Sequence, residues 1–210
     1  MMPSTVRPPV VAVWLLGLFT PYKQAESITG DLHEEFFHLA SKSGGAVARS
    51  WYWRQTVKTI AHLFGTGFRV APWWTTAVVV GGFLLLRFVS GFPERAIFAV
   101  LHRYRVFEHH FDAYVFFSTD GIALGHVIAS MFVGSIVAIA AEGREMIVTM
   151  TLALVGAAMV GSAYVVLVAR AQPLFLWMLP WYFADSFATV IGGIIVREVR
   201  LAVARRSSVA

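Results

Sequence analysis

Four apolar runs constrain this chain more than anything else in it: residues 74–89, 122–141, 147–168 and 174–196. Apart from tyrosines, the ionisable groups inside them are Arg87, His126 and Asp185. Hydrocarbon offers no water to backbone N–H and C=O groups, so such runs persist as helices that satisfy those groups internally. A helix rising 1.5 Å per residue crosses the ~30 Å bilayer core in about 20 residues, which these runs approach or reach. The expected fold is all-α: an integral membrane protein with a four-helix transmembrane domain over residues 69–210. Composition agrees. Charged residues make up 14% and hydrophobic ones 58%, with mean hydropathy +0.68, whereas soluble domains carry about 25% charged residues. There is no cysteine, which excludes disulfides, thiolate metal sites and thiol catalysis.

Residues 1–68 are polar enough to form a separate cytoplasmic module of three helices. Trp14, Leu15, Leu18 and Phe19 recur at helical spacing, and Pro21 ends that helix. The run 10–19 is too short to span, and no small-residue cleavage site follows it, so an uncleaved amphipathic helix is expected. A second helix over 22–39 carries Ile28, Leu32, Phe36 and Leu39. The Ser41-Lys42-Ser43-Gly44-Gly45 stretch reads as a turn. A third helix over 46–63 is expected to turn Val47, Trp51, Val57, Ile60 and Ala61 inward.

Lysine and arginine placement sets the orientation. With both termini in the cytoplasm, the basic residues of the N-terminal module, Arg144 and those from Arg197 onward lie inside. Arg95, Arg103, Arg105 and Arg170 lie outside, and Arg87 sits near the outer end of the first span. The protein is therefore expected in the cell (cytoplasmic or inner) membrane as a multi-pass chain. The net charge of +5 follows from these flanking residues, and no nucleic-acid partner is expected. The extracytoplasmic segment 92–120 is aromatic and histidine-rich. Ile97, Phe98, Leu101, Tyr104 and Phe107 suggest an amphipathic helix along the outer surface, and Asp120-Gly121 a turn into the second span.

Two N-terminal motifs, Gly30-Asp31-Leu32-His33-Glu34-Glu35-Phe36 and Trp51-Tyr52-Trp53-Arg54-Gln55, resemble the permease prefix domain. This short cytoplasmic module precedes some duplicated MacB-like ABC permeases. The resemblance covers residues 8–64; a full permease would add large periplasmic domains that this chain does not contain. It implies a small stand-alone relative working beside an ABC-type transporter, with Gly30, Asp31, Glu34, Glu35, Trp51, Trp53 and Arg54 as the partner-docking face. The two motifs should meet in space, with Asp31 or Glu35 touching Arg54.

Within the membrane, Asp185 is the most costly residue, since a charge at mid-span costs about 2.5–3.5 kcal/mol on insertion scales. Either it is protonated or pairs with Arg87 or His126 to lock the bundle, or it serves ion or proton passage. Outside, His102, Glu108, His109 and Asp112 have ligand chemistry, but their spacing matches no closed metal motif, and no metal or other cofactor is expected. The acids Asp31, Glu34 and Glu35 lack a nearby nucleophile or metal, and no nucleotide-binding loop or hydrolase motif occurs, so an enzyme is not expected. Three rows of small residues, Ser130-Gly134-Ala138, Ala153-Ala157-Gly161 and Ala184-Ala188-Gly192, offer smooth faces for close helix packing. The leading expectation is a non-enzymatic accessory or assembly membrane subunit. Its partners would be the lipid bilayer and another membrane protein or further copies of itself. The alternative is a small transporter or ion-conducting oligomer centred on Asp185.

Overall fold

Apolar side chains recurring at helical spacing place nearly every described residue in a helix. The computed structural model describes residues 6–20, 22–170 and 179–207, among which there is no strand. Two compact units result, Met1–Pro72 and Trp73–Ala210.

The first unit is a three-helix module of α1 (Val10–Phe19), α2 (Tyr22–Ser43) and α3 (Gly45–Val70). Its core is Ala12, Phe36, Ala48 and Tyr52, with Leu32, Leu39 and Trp51 packed around it. Phe36 meets Tyr52 edge-on at 5.8 Å, and His33 stacks on Tyr52 at 6.0 Å. The α2–α3 connection is shorter than the five-residue turn expected. α2 runs on through Ser43, and Gly44 alone reverses the chain at φ +88°, a conformation glycine adopts without a Cβ penalty. The inward face of α3 also differs by one position. Ala48, Tyr52 and Thr56 are buried, while Val47 and Val57 are 50% and 61% exposed. The helix turns Tyr52 inward and leaves Val47 and Val57 outside. On α1, Ala12, Leu16 and Leu18 are buried and Trp14 is exposed.

The second unit contains most of α4 (Pro72–Val89), then α5 (Gly91–Arg103), α6 (Val106–His109), α7 (Phe111–Phe116), α8 (Ile122–Ala140), α9 (Glu145–Ala169) and α10 (Leu179–Ser207). Three stretches, Pro72–Arg103, Phe111–Ala140 and Glu145–Ala169, are long and apolar enough to cross a membrane. The expected fourth span begins in 171–178, outside the described residues; its remainder lies in α10. The segment 92–120 is not a single amphipathic helix. It breaks at Arg105, held at φ +47°, and again at His110. Asp120-Gly121 is not a turn either: a π-helical stretch, Phe117–Gly121, carries α7 directly into α8. α5 folds against the start of α8, where a Cβ on Gly125 would lie 2.6 Å from the ring of Pro93.

α8 and α10 cross with their backbones in contact. A Cβ on Gly134 would strike the backbone of Thr189, and one on Gly192 the backbone of Met131 and Ser135. The small-residue rows of these two helices therefore face each other. On α9 the close approach uses Thr149, against Gly193, and Gly156, near Ser186, whereas Gly161 faces open space. Val79 of α4 completes the core with Val133, Val137, Val148 and Leu152.

Candidate functional site

Each of four helices contributes one face to a cavity of about 350 Å³ in the second unit. α4 supplies Phe83, Leu86, Arg87 and Ser90, which recur every three or four residues and so share one side of the helix. From α8 come His126, Ala129 and Ser130; from α10, Asp185, Ser186 and Thr189. α9 presents Leu152, Ala153, Gly156, Met159 and Val160. Those α9 positions cover nine residues, eight steps of 1.5 Å, so the cavity runs about 12 Å along the bundle. Its walls are largely apolar and its polar groups few, the usual make-up of a small-molecule site.

The three ionisable residues of the apolar runs, Arg87, His126 and Asp185, all line this cavity. They come from three different helices, so their shared lining follows from packing and not from chain proximity. Ser130 is the polar side chain beside the Asp185 carboxylate. Asp185 Oδ1 and His126 Nε2 are buried without a hydrogen-bond partner. Thr189 Oγ1 donates to the backbone oxygen of Asp185 at 3.0 Å, fixing that turn of α10. Among the described residues, no ion pair joins Asp185 to Arg87 or His126. The guanidinium of Arg87 belongs to an exposed residue, and a long side chain near a helix end can carry its charge toward the membrane surface. Glu94 of α5 is the acid whose charge reaches His126.

A second polar cluster closes the opposite ends of α8, α9 and α10. Glu145, only 2% exposed, pairs with Arg197 at 3.4 Å and with Arg200. Arg200 also donates to the carbonyl of Ile139 at 2.8 Å, and the Gly143 N–H donates to Glu145 Oε1 at 3.0 Å. One carboxylate thus ties three helix ends together. Sequence reasoning did not single out Glu145 and used the arginines only for orientation. An acid at the threshold of an apolar run was the signal available.

In the first unit, Gly30, Asp31, Glu34, Glu35, Trp53 and Arg54 are exposed and Trp51 is half-buried. The two motifs do meet, through His33, Phe36 and Tyr52. The expected contact of Asp31 or Glu35 with Arg54 is not formed among the described residues. Two positions along a helix rotate about 200° around it, so α3 turns Arg54 outward when it turns Tyr52 inward. The hydroxyl of Tyr52 has no hydrogen-bond partner, and burial pushes its pKa above 10.0.

The outer residues His102, Glu108, His109 and Asp112 are all exposed. No group of three metal-ligating side chains gathers among the described residues. The breaks at Arg105 and His110 separate these side chains, and Glu108 instead pairs with Arg105 at 3.7 Å. Compared with protein families, curated proteins and solved structures, the chain matches none.

Proposed function

We propose that this is a multi-pass protein of the cell membrane, with both termini in the cytoplasm, whose helices hold a small polar solute or ion beside Asp185 for passage across the bilayer. The observation that carries this reading is the convergence of Arg87, His126 and Asp185 on one cavity. Ionisable side chains inside a membrane are costly, and when they face a shared cavity they mark substrate or ion pathways. A purely structural lock would pair the carboxylate with a cation, and Asp185 instead keeps one oxygen free. The test is flux in liposomes holding the purified protein. Asp185→Asn should abolish protein-dependent flux of protons, alkali cations or small solutes while leaving thermal stability unchanged. Equal flux from the variant and the wild type refutes the reading.

A second reading, that of an accessory subunit beside an ABC-type transporter, is favoured by one observation. Asp31, Glu34, Glu35, Trp53 and Arg54 stay on the surface and form no ion pairs with one another. Such a charged and aromatic face suits a docking partner. Under this reading, reversing Asp31, Glu34 and Glu35 to lysine removes a stoichiometric partner polypeptide recovered in mild detergent. Recovery unchanged by the reversal counts against it.

A further inference from the structure

Two opposite charges line the cavity and do not neutralise each other. Asp185 lies beside Ser130 and leaves Oδ1 without a partner, and no ion pair joins it to Arg87. We propose that the cavity takes a small amino-acid-type zwitterion, its ammonium on Asp185, its carboxylate on Arg87 and its apolar frame against Phe83, Leu86 and Met159. This rests on the reading of the cavity as a solute site given above.

Three features support the assignment. A bare cation would satisfy Asp185 but would leave Arg87 unanswered and meet it as a like charge. A bare anion would meet Asp185 in the same way. A zwitterion answers both groups at once, and Arg is the side chain best matched to a carboxylate, through two parallel N–H donors. The volume is consistent as well, since 350 Å³ falls at the low end of the roughly 300–1,000 Å³ usual for small-molecule pockets. The apolar walls select against a bare inorganic ion, which would gain nothing from them.

The depth order of the residues gives the ligand an orientation. Arg87 and Ser90 belong to the last turn of α4 and the residue after it, and His126 lies one turn into α8. Ser130 is one turn deeper and lies beside Asp185. The carboxylate end therefore lies toward Arg87 and Ser90, and the ammonium end lies deeper.

Equilibrium binding of radiolabelled leucine to the full chain in lipid nanodiscs tests the proposal. The competitors are 3-methylbutylamine, which is leucine without its carboxylate, and 4-methylpentanoate, which is leucine without its amine. Leucine should bind saturably, and each half-analogue should compete about tenfold or more weakly, as expected on losing a hydrogen bond to a charged group. Asp185→Asn should weaken leucine and the amine by the same factor and leave the acid unchanged. Arg87→Gln should weaken leucine and the acid and leave the amine unchanged, with Arg87→Lys restoring part of the loss. If the amine competes as well as leucine, and Asp185→Asn weakens both, the zwitterion assignment is overturned while the solute-site reading stands. If leucine shows no saturable binding although flux depends on Asp185, the assignment is again overturned alone. If lipid acyl chains fill the cavity and neither binding nor flux responds to Asp185, both fall.

Discussion

The sharpest test of the packing is Gly134→Ala, because the obstacle a methyl group would meet there is backbone. An ideal Cβ at Gly134 falls on the carbonyl oxygen of Thr189 and 2.8 Å from its carbonyl carbon and Cα. No flexible side-chain end is available to swing away, so α8 must retreat from α10 by about 1 Å to reach ordinary carbon–carbon separation. A gap of that size forfeits about a quarter to a half of the dispersion energy of the atoms facing it. Overpacking of this kind costs about 1–3 kcal/mol, against the ~1 kcal/mol that alanine gains over glycine inside a helix. The control is Gly161→Ala on α9, where a Cβ meets nothing within 4 Å and only the propensity gain applies. The two variants should therefore differ by about 2 kcal/mol, with Gly134→Ala the weaker. Both can be followed by SDS-induced unfolding in mixed micelles, read by tryptophan fluorescence. If Gly134→Ala unfolds at the same SDS fraction as Gly161→Ala, or at a higher one, the backbone-contact crossing is wrong.

Other consequences are equally direct. Glu145→Ala should destabilise the membrane unit by about 1–3 kcal/mol, because it removes the buried carboxylate that pairs with both Arg197 and Arg200; the same unfolding assay reads it, and a change within error counts against the three-helix tie. Tyr52→Phe should leave the first unit as stable or make it slightly more stable at neutral pH, since the hydroxyl it removes has no partner. The raised pKa of Tyr52 also sets a sign: the folded state favours the neutral phenol, so stability is full below pH 10.0 and falls as pH climbs past it. Tyr52→Phe should lack that alkaline loss in circular dichroism of the full chain. Reporter fusions at Ala210 and near Asp112 should report opposite sides of the membrane, and agreement between them refutes the proposed topology.

What could be read from sequence divides along physical lines. Apolar runs longer than ten residues announce themselves, because no other structure tolerates hydrocarbon; α8 and α9 fall within a few residues of the expected spans. The cost of a charge in those runs is just as plain, and it singled out Arg87, His126 and Asp185. Their assembly into one cavity was not legible, since it depends on how four helices rotate against one another. Faces inside the small module were harder still. With valine, tryptophan and isoleucine on several sides of α3, periodicity admits more than one inward face, and contact with Phe36 decides for Tyr52. The π-helical stretch Phe117–Gly121 was hidden for a related reason. Asp120-Gly121 is ordinary turn chemistry, and only the packing of α5 on α8 shows that the helix continues through it. Glu145 escaped notice because a single acid beside a glycine and an arginine reads as loop until α10 brings Arg197 and Arg200 alongside.

The cavity and the tight crossing are two consequences of one arrangement. On α8 the lining stops at Ser130, and on α10 it stops at Thr189. One turn further along α8, Gly134 brings its backbone against Thr189 itself, and Gly192 brings α10 against Met131 and Ser135. The crossing therefore forms the floor of the cavity. Below that floor, Glu145, Arg197 and Arg200 hold the ends of α8, α9 and α10 together. A solute seated beside Asp185 would have the crossing between it and that tied end. If the cavity holds a solute as proposed, passage to that side would require α8 and α10 to part at Gly134 and Gly192, where backbone meets backbone. Closure at that end is set by backbone contact at the floor and by the three charged side chains beyond it.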